Sequence, residues 1–336
     1  MKSQQSGFTL IELMVALSLG LILSAAAVTL FINAQSSYRI QQAASTLQDS
    51  GTFGMALITK NLRLANYGNS GAMNDGTLYG GVILSAQTTT GVPATTPATT
   101  VNPNGNLNGL QFGTALISGD GYISRAAYND SAYGSLKSDQ LVIAYQAPRN
   151  MVTCQGANVQ GPNRSLTALT KGWYVIEKYY VKKRTTGSGA DLYCSSAFFI
   201  AKDETAPQTY QSTTINTTQT LSSNYGSTNN IGDMLIPNVE YMRIQLVIRN
   251  SDGTTGMMGI DDYNAISLTS TKPNRPAIIG LNMGILVRSA DTVKNNKINT
   301  YTVLDTNITA PDDNYMRTAY STTIALRNGG LGDIIQ

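Results

Sequence analysis

The stretch SGFTLIELMVALSLGLILSAAAVTLFI, residues 6–32, decides how the rest of this 336-residue chain is read. From Leu13 to Ile32 it holds neither a charge nor a proline. About 20 residues at 1.5 Å each make a helix of about 30 Å, the thickness of a bilayer core. The one charged residue in the stretch is Glu12. A carboxylate in or near a bilayer core costs on the order of 2.5–3.5 kcal/mol on insertion scales, so an acid there calls for a partner. A free amine would serve. Cutting between Gly7 and Phe8 would place a new α-amine at Phe8, with Glu12 at i+4. In a bundle of such helices the amine of one subunit can then meet the carboxylate of the next, and a buried charge persists when it is paired.

Two other readings fit the same residues. MKSQQSG is short, polar and carries Lys2, and Ala25-Ala26-Ala27 would serve as a secretory cleavage site. An uncleaved membrane anchor is the second. Signal peptides usually have an apolar core of roughly 7–15 residues with no acid, and a plain anchor has no use for Glu12 either.

The helical pattern does not stop at Ile32. Ile40, Ala43, Ala44, Leu47, Gly51, Gly54, Leu57, Ile58, Leu62 and Ala65 fall mainly at three- and four-residue spacings, the mark of an amphipathic helix. The expectation is one helix from residue 8 to residue 67, about 90 Å long, closed by Gly68 and locally weakened at Gly20, Gly51 and Gly54. From residue 69 the pattern changes to short β-rich runs between turn residues: 78–84, 110–112, 141–145, 173–181, 197–201, 239–248, 278–287 and 320–326. The run 239–248 alternates at first and then becomes apolar on both faces, as a strand does on entering a covered position. Asn250-Ser251-Asp252-Gly253 reads as a hairpin tip. The fold class expected is α+β, a long N-terminal α-helix packed on a β-rich, mainly antiparallel globular head. Its parts are a leader at 1–7, a transmembrane helix at 8–32, the amphipathic half at 33–68 and the head at 69–336. The low-complexity stretches 86–106 and 202–233 read as surface loops, and the head either divides near 203–233 or forms one large domain by strand pairing across that stretch.

Composition narrows the chemistry. Charged residues make up 13% of the chain and the net charge is only +3, so nothing in the balance demands nucleic acid as a partner. Histidine is absent, which removes the commonest general base and the commonest metal ligand and excludes Ser-His-Asp and Cys-His sites. Two cysteines in an exported chain read as one disulfide, Cys154 to Cys194. The glycine-rich pieces at 76–81 and 328–332 lack the lysine and spacing of a phosphate cradle. Asp252 with Asp261 and Asp262 offers carboxylates to calcium without EF-hand spacing, and Asp312-Asp313 reads as a solvated pair. Tyrosines near Lys178, Lys182, Lys183 and Arg184 could stack on bases, or simply cover a sheet face. No catalytic, cofactor-binding or metal site is expected, and no cofactor.

Gly7-Phe8-Thr9-Leu10-Ile11-Glu12 followed by Leu13-Met14-Val15-Ala16-Leu17 resembles the class III leader junction of type IV prepilins and type II secretion pseudopilins. That resemblance implies cleavage after Gly7, N-methylation of Phe8 and a filament-assembly role for Glu12. Later pieces resemble the large PilW-type minor pilins: KNLRLANYG at 60–68, SDQLVIAY at 138–145, Cys154-Gln155-Gly156, Tyr179-Tyr180-Val181, Leu192-Tyr193-Cys194, Ile236-Pro237-Asn238-Val239-Glu240 and YSTTIALRN at 320–328. A cysteine often found soon after the helix end in that family is missing here. The resemblance implies a structural subunit and not an enzyme. Such a subunit primes or caps pilus polymerisation and supports twitching, adhesion and DNA uptake. Its implied partners are other minor pilins, the major pilin, the prepilin peptidase and methyltransferase, the inner-membrane assembly platform and a tip adhesin. The implied location is the inner membrane with a periplasmic head, then the pilus tip. The alternatives are a large tip pseudopilin of type II secretion, a membrane-anchored envelope enzyme, and a head that binds DNA or a host ligand.

Overall fold

The computed structural model describes residues 7, 9–69, 71, 73–87, 93–94, 105–164, 169–200, 219–227, 232–268, 275–293 and 299–327. Most of the leader, Phe8, most of the two low-complexity stretches and the glycine-rich run at 328–332 lie outside them.

Helix α1 (Leu10–Gln48) passes through a π-helical turn (Asp49–Phe53) into α2 (Gly54–Leu62). Together they form 53 continuous helical residues, about 80 Å at 1.5 Å per residue. The helix ends at Leu62 rather than at Tyr67. Beyond it the Leu64, Ala65 and Tyr67 amides bond three residues back, and Asn66 takes a φ of 67°. An asparagine tolerates this left-handed geometry and ends a helix as glycine does. The Asn66 N–H then donates to the Ala144 carbonyl at 3.1 Å, so the chain leaves the helix already fastened to the sheet.

The head holds two larger sheets. The first comprises β1 (Gly81–Val82), β2 (Arg125–Asp130), β3 (Lys137–Gln146), β4 (Tyr174–Lys183), β5 (Ala190–Phe199) and β6 (Asp233–Ile236). Its order is β1-β3-β4-β5-β6, with β2 also on β3, and every pairing is antiparallel. The second contains β7 (Val239–Arg249) and β8 (Thr255–Gly259), followed by the short helix α3 (Ile260–Ala265) and by β9 (Ala277–Thr292). After a hairpin of β10 (Thr300–Val303) and β11 (Thr306–Thr309) comes β12 (Tyr315–Ala325). The second sheet runs β8-β7-β9-β12, again all antiparallel. The α+β expectation therefore describes the molecule: one long N-terminal helix on a mainly antiparallel head.

The second half of the helix joins the sheets. Leu47, Met55, Ile58 and Leu62 share one core with Leu141, Ile143 and Val175 of the first sheet and Met242, Ile244 and Ile285 of the second. Gly51 and Gly54, expected as weak points, are places where the head packs tightly on the helix: a β-carbon would collide with Tyr320 at the first and with Ile236 at the second. Removing the side chain lets the two packing surfaces approach.

Several strand expectations shift. Only Gly81–Val82 of the run 78–84 is strand, because Tyr79 and Gly81 have positive φ. The strand expected at 197–201 begins at Ala190 and ends at Phe199, its length set by ten-residue pairing with β4 from Tyr174↔Phe199 to Lys183↔Ala190. The covered end of β7 is the opposite of the one expected. Val239–Met242 are all buried, whereas Arg243, Gln245, Val247 and Arg249 are partly exposed. Glu240 accepts burial at the strand's start because Arg317 and Arg288 pair with it. The turn at Asn250–Gly253 does join β7 to β8, with the Asn250 N–H on the Thr254 carbonyl at 2.9 Å.

Candidate functional site

The N-terminal junction is built on a helix cap. Gly7 is exposed, with nothing near its α-carbon. Thr9 is extended and stands as the N-cap: its hydroxyl accepts from the Glu12 N–H at 3.4 Å and lies 3.5 Å from Glu12 Oε2. Thr9-x-x-Glu12 is the spacing of a capping box, a local signal that the sequence reading passed over. Glu12 also places negative charge at the positive end of the helix dipole.

Beyond the cap the helix is bare. Leu10 is 78%, Leu13 57% and Phe31 65% exposed, and Ala43 is the first buried residue. The hydroxyls along this part bond to the helix's own carbonyls: Ser18 to Val15 at 2.9 Å, Ser24 to Gly20 at 2.8 Å and Thr29 to Ala26 at 2.8 Å. Polar side chains satisfied within the helix leave a surface suited to lipid or to other apolar helices. This is the one described helix long and apolar enough to cross a membrane.

A second constellation fastens the helix to the head. Cys154 and Cys194 form the expected disulfide, with Cα atoms 6.3 Å apart. The Cys154 N–H donates to Glu177 Oε1 at 2.7 Å, the Tyr179 hydroxyl donates to Glu177 Oε2 at 2.6 Å, and Asn61 Nδ2 of α2 lies 3.4 Å from Oε1. Glu177 thus links the disulfide loop, β4 and the helix. It is fully buried, and burial raises its pKa despite these hydrogen bonds.

The remaining buried charges hold elements together. Glu240 of β7 receives Arg317 of β12 at 2.7 Å and Arg288 of β9 at 3.4 Å, while Arg317 also pairs with Asp313 at 2.6 Å. Tyr133 donates to the same Glu240 carboxylate. Asp139 of β3 accepts from the Ile244 N–H of β7 at 2.8 Å and lies 3.4 Å from Arg243. Burial lifts the Asp139 carboxyl to about 6 against the pull of Arg243. Asp75 pairs with Arg275 between the loop before β1 and the start of β9.

The acids singled out in the sequence are not brought together. Asp252 accepts from the Thr254 N–H in the hairpin turn, Asp261 and Asp262 lie in the first turn of α3, and Asp313 pairs with Arg317. Among the described residues no group of three or more His, Cys, Asp or Glu is placed to hold a metal. Lys178 and Lys182 lie over the rings of Tyr180 at 4.9 Å and Tyr193 at 5.9 Å on the first sheet, the covering arrangement rather than an open stacking platform.

Comparison with known proteins adds to this geometry. Residues 178–328 match the family described as type IV pilus-assembly protein W, and residues 2–28 match the prokaryotic N-terminal methylation motif. No curated protein matches the chain. Among solved structures it is similar to a type IV-like pilin from Thermus thermophilus at 9% identity, covering 83% of this chain and 94% of that one with a TM-score of 0.34. The methylation motif falls on the bare helix and the assembly-protein match on the head from β4 to β12, and together they make the chain similar to PilW-type pilins with a class III leader.

Proposed function

We propose that the chain is a minor pilin of the type IV pilus, acting as a structural subunit that primes or caps polymerisation. Residues 8–32 hold it in the inner membrane with the head in the periplasm, after cleavage behind Gly7 and methylation of Phe8. On extraction the same helix packs among neighbouring helices of the filament, where burial of its side chains contributes roughly 25 cal/mol per Å² relative to water. Glu12 meets the terminal amine of an adjacent subunit and sets its register. Other minor pilins, the major pilin and the assembly platform are its partners, and twitching, adhesion and DNA uptake are the processes it serves. The work of assembly comes from elsewhere, so the reading asks no catalysis of this chain.

The observation that carries this reading is the division of one continuous helix: the apolar span from Leu10 is unburied, while Leu47, Met55, Ile58 and Leu62 form the centre of the head. Mass analysis of the mature N-terminus tests it. A start at a methylated Phe8 is expected. A start at Val28, after Ala25-Ala26-Ala27, would establish a signal peptide and end the pilin assignment. Deletion should abolish piliation while type II secretion continues; the reverse outcome would make the chain a tip pseudopilin.

A further inference from the structure

An open groove of about 1400 Å³ runs between α2, the loop that follows β3 and the edge of β12. Leu57 and Val152, both more than half exposed, lie on its walls. The charged residues lining it are Lys60, Arg63, Arg149 and Arg327, all exposed, and no Asp or Glu lines it among the described residues. No ion pair found between described residues involves any of these four cations. Arg327 rests over the Tyr67 ring at 5.7 Å. Four like charges around one groove set up a potential that favours a partner carrying carboxylates.

Among the described residues the β12 wall is an open sheet edge, since β12 ends the order β8-β7-β9-β12. The Leu326 N–H donates to the Ile279 carbonyl at 3.0 Å, and the register sets Ala325 opposite Gly280 and Ile324 opposite Leu281. In an antiparallel ladder, bonded and non-bonded pairs alternate. The even-numbered residues of β12 therefore bond to β9, and the N–H and C=O groups of Ala319, Ser321, Thr323 and Ala325 point outward. All four residues are exposed. From Thr318 to Leu326 there is no proline and no charge, the devices that usually protect an edge strand from pairing.

We infer that this groove receives an extended acidic segment of a neighbouring filament subunit, which adds as a strand to β12. Its carboxylates meet Lys60, Arg63, Arg149 and Arg327, and its alternate apolar side chains pack on Leu57 and Val152. The identity of the partner rests on the assembly reading above; the chemistry of the groove does not. A peptide fits better than a nucleic acid because the apolar part of the exposed lining, Ala56, Leu57, Val152 and Ala325, is aliphatic. Of the tyrosines that line the groove, Tyr179 is buried and the Tyr320 ring is packed over Gly51, which leaves no open ring for base stacking. Strand addition uses the outward backbone groups directly.

The full chain in detergent provides the test, by fluorescence anisotropy with three labelled probes: an octapeptide alternating Val and Glu, its Val and Lys counterpart, and oligothymidine. The Glu peptide should bind at least about tenfold more tightly than the Lys peptide, and about tenfold more weakly to an Arg63→Glu/Arg149→Glu variant. Thr323→Pro removes one outward N–H and the exposed side-chain bond to Asn282 while sparing the backbone bonds to β9, and should weaken the peptide without moving the circular dichroism spectrum. If that variant does not fold, the charge-reversal pair, on exposed side chains, decides alone. Equal binding of the two peptides, no binding, or an affinity unchanged by charge reversal overturns the inference. Oligothymidine competing with the peptide would give the groove to nucleic acid, and tighter peptide binding after removal of residues 328–336 would give it to the chain's own C-terminal residues; either result overturns the neighbouring-subunit partner. Cleavage after Gly7 and normal filament incorporation with no peptide binding would sink the groove alone and leave the assembly reading standing.

Discussion

The phenol ring of Tyr320 occupies the space above Gly51 into which a β-carbon would project. Tyr320 stands on β12 and Gly51 in the π-helical turn, so this contact fixes how the helix lies against the second sheet. Gly51→Leu should lower stability by about 2 kcal/mol, the cost of overpacking less the gain in helix propensity. Tyr320→Ala should recover at least half of that loss, because coupled neighbours depart from additivity. Urea denaturation of the two single variants and the double variant measures the coupling. Additive losses would show that the ring moves aside freely.

The Cys154–Cys194 bond closes a loop across 40 residues. On the loop-closure account it contributes roughly 4 kcal/mol. Replacing both cysteines with serine should lower the unfolding temperature markedly, and a reductant should do the same to the wild type while leaving the double-serine variant unmoved. Equal stability of oxidised and reduced protein would contradict this.

Glu177 gives a pH dependence with a definite sign. Burial raises its folded-state pKa above the ordinary carboxylate value and outweighs the hydrogen bonds from Tyr179, the Cys154 N–H and Asn61, which lower it. Between the unfolded and folded values the native state holds a proton that the unfolded state has released, so stability falls as pH rises through this window. Asp139, lifted to about 6, acts in the same direction. Glu177→Gln should therefore flatten the fall in urea midpoint between pH 5 and pH 8. A slope identical to wild type would mean that the carboxyl is ionised in the fold throughout.

Arg317 tests the buried pairing at the start of β7. It meets both Glu240 and Asp313, and removing one partner of a buried pair leaves the other charge desolvated, at a cost of about 3–5 kcal/mol. Arg317→Met should lose stability on that scale by chemical denaturation. A loss below about 1 kcal/mol would show that Arg288 compensates for it.

What was legible before folding was whatever is written locally. The apolar span after Glu12, the periodic positions Leu47, Ile58 and Leu62, the hairpin at Asn250–Gly253 and the cysteine pair all carry their signal within a few residues or in simple parity. What was not legible depends on partners distant in the chain. Glu240 reads as the polar member of an alternating strand until Arg317 and Arg288 arrive from other strands to bury it. The strand from Ala190 lacks clean alternation and takes its length from β4. Lys60, Arg63, Arg149 and Arg327 form no cluster in sequence, and only the packing of α2 beside β12 brings them around one groove. The Thr9-x-x-Glu12 cap, by contrast, is written within four residues.

That cap leaves two roles on Glu12, and conservative substitutions separate them. Glutamine at the third helical position can still serve a capping box, while it cannot neutralise an amine. If register in the filament comes from charge pairing, Glu12→Gln should insert in the membrane normally and yet be depleted from sheared filaments about as strongly as Glu12→Ala. Thr9→Ala removes the hydroxyl that accepts the Glu12 N–H. It should fray the first turn, at a cost of about 1 kcal/mol, with little change in incorporation. Immunoblots of membrane and filament fractions from cells carrying each variant report both quantities. Normal incorporation of Glu12→Gln together with loss in Thr9→Ala would make Glu12 a helix-start residue and remove the charge from the assembly mechanism.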